Sequence, residues 1–251
     1  MENYKLIAYT DPKSPISEAY RTLRTNIQFS SLDNPIRTII VTSSGPGEGK
    51  TTTTINLAIA MAQSGSKVLL IDGDLRKPKL HKIFKTSNQV GLTNILVNEL
   101  DYKEGVYSSH IEKLDILPAG VIPPNPSELL ASNKMKQFLN NVKKDYDYIM
   151  VDTPPVAVVT DASILSTIVD GTLLVCASGQ VPIEVATRAK ALLENVKANI
   201  IGVVLNKIPI NERNYSQYYY YSYYAEDEST TNKKRNKKRN KKKNKRVKAN
   251  G

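Results

Sequence analysis

The chain has no tryptophan, three phenylalanines and one cysteine in 251 residues. A single cysteine excludes an internal disulfide. Cys176 follows the apolar run Leu173-Leu174-Val175, which predicts a packed core thiol rather than a reactive one, because burial disfavours the thiolate. Long hydrophobic runs are missing too: no stretch reaches the ~20 apolar residues that span a bilayer. Residues 1–12 lack the apolar segment of an export signal. The expected location is cytoplasmic, with membrane association left to a partner or to the C-terminal tail.

Acid is missing from the C-terminal end. Residues 233–248 hold twelve Lys or Arg and no Asp or Glu. Without those twelve, the 35 bases of the chain fall to 23, against 24 acids. The net charge of +11 therefore belongs to a tail and not to the fold. That argues against a basic nucleic-acid-binding face, so no nucleic-acid partner is expected. Just before the tail, seven of the fourteen tyrosines crowd together: Tyr215, Tyr218, Tyr219, Tyr220, Tyr221, Tyr223 and Tyr224. Neither segment has the apolar area to offset chain entropy, so both are expected to be disordered. The reading divides the chain into a folded domain (1–210), a tyrosine cluster (211–228) and a basic tail (229–251).

The folded part alternates short β-branched runs with helical patterns. Strands are expected at 38–42, 67–71, 114–117, 148–151, 172–176 and 200–205. Helices are expected at 50–63, 91–100, 127–143, 161–168 and 183–196. Strands apolar on both faces and separated by helices imply an α/β fold, a parallel sheet with helices on both faces. Gly65 is placed to end the first of these helices. An N-terminal helix is expected over 14–29, with Ser14 as cap and Pro15 in the first turn. Ile16, Tyr20, Leu23 and Ile27 form its apolar stripe. Glu18, Arg21 and Arg24 form a charged row beside it, which on the residues alone reads as a solvated face.

Ligands in such folds sit beyond the carboxyl ends of the strands, and the informative residues fall there. After the first strand comes Ser44-Gly45-Pro46-Gly47-Glu48-Gly49-Lys50-Thr51, then Thr52. This is the phosphate-loop pattern, with Ser44 in place of the first glycine. Its glycines let backbone N–H groups converge on phosphate oxygens at a helix N-terminus. Lys50 supplies a point charge for the β- and γ-phosphates of ATP, and Thr51 a hydroxyl for Mg²⁺. Ile71-Asp72-Gly73-Asp74 and Val151-Asp152-Thr153-Pro154-Pro155 put three acids at strand ends, where a divalent cation relieves their repulsion. Asn206 and Lys207 close the last strand, as a base contact or as turn residues.

At this point the chain resembles the bacterial tyrosine kinases (BY-kinases) of the P-loop NTPase branch, in the Firmicute form with a separate cytoplasmic kinase. The resemblance covers roughly residues 14–224. It rests on 44–51 as Walker A, on 69–74 with Leu75-Arg76-Lys77-Pro78 as the second Walker A′ motif, and on 150–155 as Walker B. Glu18-Ala19-Tyr20-Arg21-Thr22-Leu23-Arg24-Thr25-Asn26 and the tyrosine cluster complete it. The resemblance implies an ATP- and Mg²⁺-dependent protein-tyrosine kinase in capsular or exopolysaccharide synthesis. It implies a transmembrane adaptor that activates the kinase at the inner face of the membrane, and a protein-tyrosine phosphatase that reverses its action. It also implies a ring joined through Glu18, Arg21 and Arg24, in which the clustered tyrosines enter a neighbour's site. Lys50 and Mg²⁺ stabilise charge on the transferred group. Asp72 is the candidate to orient or deprotonate the phenol. Asp74 and Asp152, with Thr51, are candidates for Mg²⁺, and the division of base and metal roles between Asp72 and Asp74 stays open. The basic tail is outside the resemblance. It reads as a solubilising segment, or as a charge that folds onto phosphorylated tyrosines or rests on an anionic membrane.

Two other readings use the same residues. A positioning or partition ATPase shares the stretch 50–58, but that branch carries a lysine early in the loop, where this chain has Gly45. A scaffold would use the tyrosines as a contact surface. Phosphotyrosine formed from ATP separates the kinase from both.

Overall fold

The computed structural model describes residues 6–30 and 35–209. The tyrosine cluster and the basic tail lie outside the described residues.

Seven strands form one sheet: β1 (Thr38–Ser43), β2 (Val68–Asp72), β3 (Tyr107–Ser108), β4 (Leu114–Leu117), β5 (Tyr148–Asp152), β6 (Gly171–Ala177) and β7 (Ile200–Asn206). Their order is β3-β4-β2-β5-β1-β6-β7. Every pairing is parallel except β3 on β4. The expected parallel sheet is thus present, with one short antiparallel strand added at its edge. Nine α-helices occur among the described residues: α1 (Ile7–Thr10), α2 (Pro15–Ser30), α3 (Lys50–Gln63), α4 (Leu80–Phe84), α5 (Leu92–Asn98), α6 (Pro126–Ala131), α7 (Asn133–Val142), α8 (Asp161–Ser166) and α9 (Ile183–Asn195).

Alternation along the strands feeds cores on both faces. Ile39, Val41 and Leu70 pack with Ile55 and Ile59 of α3. Ile40, Leu69 and Ile71 point the other way, to Leu96 of α5 and Phe138 of α7. All are buried, and each such side chain contributes about 1.5–3 kcal/mol relative to exposure. Cys176 is buried in a third cluster with Leu174 and Leu193, and burial pushes its thiol up.

Several boundaries differ from expectation. The helix expected over 127–143 is two helices, because Ser132 leaves the helical region (φ −69°, ψ 155°) and caps α7 by accepting the Met135 N–H. Ile16 is exposed, so the stripe of α2 is carried by Tyr20, Leu23 and Ile27. Ser14 does cap α2, accepting the Ser17 N–H at 3.2 Å. Gly65, at φ 98°, ends α3, its N–H bonded to the Ala62 carbonyl.

Candidate active site

β1 ends at Ser43 and α3 begins at Lys50. The loop between them passes through positive φ at Gly47 and Gly49. At Gly49 (φ 93°) a Cβ would also lie 2.1 Å from Asn206 Nδ2, so glycine is required there by space as well as by φ. Pro46 and Gly47 are exposed and, with Gln180, Pro182 and Val185, border a cavity of about 210 Å³.

The loop is braced from behind. Glu48 is buried, and its Oε1 accepts the Ser44 hydroxyl at 2.5 Å and the Gly45 N–H. Its Oε2 accepts the Ala177 N–H at 3.1 Å. Asn206 Nδ2 donates to the Glu48 carbonyl at 2.9 Å. The side chains of Ser44, Glu48 and Asn206, expected as nucleotide contacts, thus tie the loop to the ends of β6 and β7. Thr52 is half-buried and its carbonyl accepts from Asn56 Nδ2.

Lys50 and Thr51 reach the acids. Lys50 Nζ lies 3.3 Å from Asp152 Oδ1 and 3.7 Å from Asp74 Oδ2. The Thr51 hydroxyl donates to Asp152 Oδ2 at 2.7 Å. Burial pushes the Asp152 carboxyl up, against the opposing pull of Lys50 and Thr51.

Asp72 is the register partner of Asp152 across β2 and β5. Its Oδ2 accepts the N–H groups of Lys79 (2.8 Å) and Leu80 (2.9 Å) at the start of α4, while its buried Oδ1 has no partner among the described residues. Burial and the charges of Asp152 and Asp74 push the Asp72 carboxyl up to about 7, against the pull of those two N–H groups. Asp74 Oδ1 accepts the Lys77 N–H at 3.0 Å. Between the two acids, the Gly73 N–H donates to the Asp152 carbonyl at 2.8 Å. A Cβ at Gly73 would come within 2.7 Å of Val151 Cγ1, so a side chain would force the two strand ends apart.

The donors suit Mg²⁺. Thr51, Asp74 and Asp152 offer hard oxygens, and Mg²⁺ takes one or two carboxylates, water and substrate phosphates rather than a closed protein cage. Among the described residues no group of three or more His, Cys, Asp or Glu makes such a cage. Thr51, Asp74 and Asp152 offer part of a shell that nucleotide phosphates and water would complete.

One functional candidate escaped the sequence reading. Asp161 is fully buried, accepting Arg76 Nε at 2.9 Å, Arg76 Nη2 at 3.0 Å and the Ser127 hydroxyl at 2.6 Å. Arg76 Nη2 also donates to Ser127 Oγ at 2.8 Å. This cluster fastens the segment after Asp74 to α6 and α8. Glu18, Arg21 and Arg24 do not gather at the active site. Glu18 and Arg21 pair along α2 at 2.5 Å, and Arg24 donates to the Ala60 carbonyl of α3 at 3.2 Å. No helix among the described residues is long and apolar enough to cross a membrane.

With this geometry in hand, comparisons with known proteins are specific. A profile of the AAA-domain family matches residues 36–212. Tyrosine-protein kinase YwqD of Bacillus subtilis is 45% identical over 216 residues, covering 86% of this chain and 90% of the relative. The kinase domain of Escherichia coli tyrosine kinase ETK superposes with a TM-score of 0.79 at 34% identity, covering 84% of this chain and 83% of that one. The septum site-determining protein MinD of Pyrococcus horikoshii, solved with Mg-ADP, superposes with a TM-score of 0.60 at 26% identity, over 70% and 72% of the two chains.

Proposed function

The chain belongs to the bacterial tyrosine-protein kinases, and from that premise we propose that it transfers the γ-phosphoryl group of Mg-ATP to the tyrosine cluster of a neighbouring copy of itself. The observation that carries this reading is the meeting of Lys50, Thr51, Asp74 and Asp152 through contacts under 4 Å at the mouth of the phosphate loop, with Asp72, the register partner of Asp152, keeping one oxygen unpartnered among the described residues.

In-line phosphoryl transfer needs positioning and charge neutralisation more than covalent chemistry. The loop N–H groups and the α3 N-terminus hold the phosphates, and Lys50 turns its ammonium to the γ-phosphoryl oxygens. Thr51, Asp74 and Asp152 hold Mg²⁺, which supplies charge neutralisation on the phosphates. Asp72 Oδ1 is the acceptor left for the phenolic proton of Tyr215, Tyr218, Tyr219, Tyr220, Tyr221, Tyr223 or Tyr224. A phenol with a pKa near 10 needs such an acceptor at neutral pH.

Residues 1–210 act as the catalytic domain, 211–228 as acceptor and 229–251 as a basic extension. Glu18, Arg21 and Arg24 join copies into a ring, with Glu18 and Arg21 exchanging their pairing along α2, and Arg24 its bond to the Ala60 carbonyl, for pairing across copies. A transmembrane adaptor with a cytoplasmic activating segment keeps the ring at the inner face of the membrane, and a protein-tyrosine phosphatase resets it. The pathway served is capsular or exopolysaccharide synthesis.

A mixing experiment tests the transfer. A Lys50→Met copy with intact tyrosines is incubated with ATP, Mg²⁺, the adaptor segment and a copy whose seven clustered tyrosines are Phe. Phosphotyrosine on the Lys50→Met copy is the expected result. ATP loss without phosphotyrosine would support a positioning ATPase, the reading that the MinD likeness favours.

A further inference from the structure

Immediately after Asp74 the sequence turns basic. Arg76, Lys77, Lys79, Lys82 and Lys85 fall within ten residues, and no acid occurs between Asp74 and Glu99. Arg76 is engaged by Asp161. Lys77, Lys82 and Lys85 are exposed, and none of these three forms an ion pair among the described residues. The stretch is attached directly to the site, since the Lys77 N–H binds Asp74 and the Lys79 and Leu80 N–H groups bind Asp72. Leu80 and Phe84 turn the apolar side of α4 into the core, which leaves Lys82 and Lys85 facing outward.

The chain contains one run of three consecutive acids, Glu226-Asp227-Glu228, separated from Tyr224 by Ala225 alone. We propose that the basic stretch 77–85 is the docking surface for this acidic run of a second copy. It holds the tyrosines just upstream against the acids of the site. The proposal rests on the kinase reading and names how that reaction selects its acceptor.

Reach supports the pairing. An extended chain spans about 3.3–3.6 Å per residue, so Glu226 to Glu228 lie roughly 7–14 Å beyond Tyr224. The five residues of α4 span roughly 7.5 Å at about 1.5 Å each, a similar length. Tyr215, eleven residues before Glu226, would stand roughly 36–40 Å away at full extension. A docked acidic run therefore offers Tyr224, Tyr223 and Tyr221 first and Tyr215 last. The attraction acts between exposed charges and is screened over about 8 Å at physiological salt, so it acts on encounter and not on the chemical step.

The test uses full-length chains with the adaptor segment, the Tyr→Phe copy as enzyme and the Lys50→Met copy as substrate. Lys82→Gln/Lys85→Gln is placed in the enzyme, and Glu226→Gln/Asp227→Asn/Glu228→Gln in the substrate. Each set should raise KM for the substrate chain about five- to tenfold, the size a few exposed ion pairs support. kcat and KM for ATP should stay unchanged, and the two sets combined should do no more than either alone. Site-resolved mass spectrometry should find Tyr223 and Tyr224 leading Tyr215 in the unaltered pair, with the lead lost in the variants. Lys82→Glu/Lys85→Glu against Glu226→Lys/Glu228→Lys should restore it. Unchanged KM and unchanged order overturn the docking while leaving the kinase intact. A raised KM for ATP overturns it by assigning the lysines to nucleotide. Phosphotyrosine absent even from the unaltered pair overturns the kinase reading and the docking with it.

Discussion

A carboxylate cut off from water is stabilised by the donors around it, and Asp161 takes its side-chain donors from Arg76 and Ser127. Asp161→Ala removes the acceptor of the Arg76 fork and of the Ser127 hydroxyl; the guanidinium left behind is partly exposed and keeps Ser127 Oγ, so a loss of about 1–2 kcal/mol is expected in urea unfolding. Asp161→Asn, which keeps the shape and loses the charge, should fall between the two. Lys50→Met acts on chemistry instead. It should lower phosphotyrosine formation by at least ~100-fold, the scale seen when one preorganised charge is removed from a transition state. Much of the site was legible at this scale. Lys50, Thr51, Asp74 and Asp152 sit in motifs at strand ends, and the structure brings them together. The structural role of Asp72, as acceptor for the first N–H groups of α4, was hidden because Pro78 and the lysines around it mask a five-residue helix. The bracing by Glu48 was hidden because its partner Ala177 is 129 residues away, and spacing carries no trace of such a contact.

Strands were legible where they carry an apolar run, which is why all six long strands were expected, the half-exposed β7 included, and the two-residue β3 was not. Tyr107 and Ser108 have no apolar pattern of their own, and only the neighbouring β4 makes them a strand. The break at Ser132 was missed because the apolar spacing of α6 and α7 runs through it without interruption. Ser132→Ala, which removes the acceptor for the Met135 N–H, should cost about 1 kcal/mol in thermal unfolding. The opposite rim of the sheet has its own organising acid, Asp170. Burial by itself would raise its carboxyl, but Lys143 Nζ at 2.9 Å, the N–H groups of Arg37 and Thr38, and the Thr38 hydroxyl hold it below the usual carboxylate range. A carboxyl depressed by folding adds stability above its unfolded value of about 3.9 and gives it up as pH falls through the folded value. Asp170→Asn should therefore destabilise by about 1–3 kcal/mol at pH 7, and its difference from the unaltered chain should shrink in denaturant titrations below pH 4.

Across the whole sequence, the net charge gathers at the C-terminal end. Thirteen of the 35 bases and four of the 24 acids lie beyond residue 209, leaving 22 against 20 in the rest of the chain. Twelve bases close to an anionic surface would each contribute up to about 1 kcal/mol, so deleting 233–251 should lower partition onto phosphatidylserine vesicles by at least ~100-fold. The thermal midpoint should stay where it was, since a run of Lys, Arg and Asn has almost no apolar area to add to a core. The sheet raises a different question of alignment. β2 is apolar on both faces, so a slide along β5 would bury the same kind of surface and hydrophobicity would not resist it. What holds β2 in place is a pin at each end: the Lys67 N–H on the Asp147 carboxylate and the Gly73 N–H on the Asp152 carbonyl. A phosphate-handling machine thus takes its calibration from an amide that bears no side chain. Gly73→Ala should leave a protein that still folds around its greasy interior while its acids stand out of step.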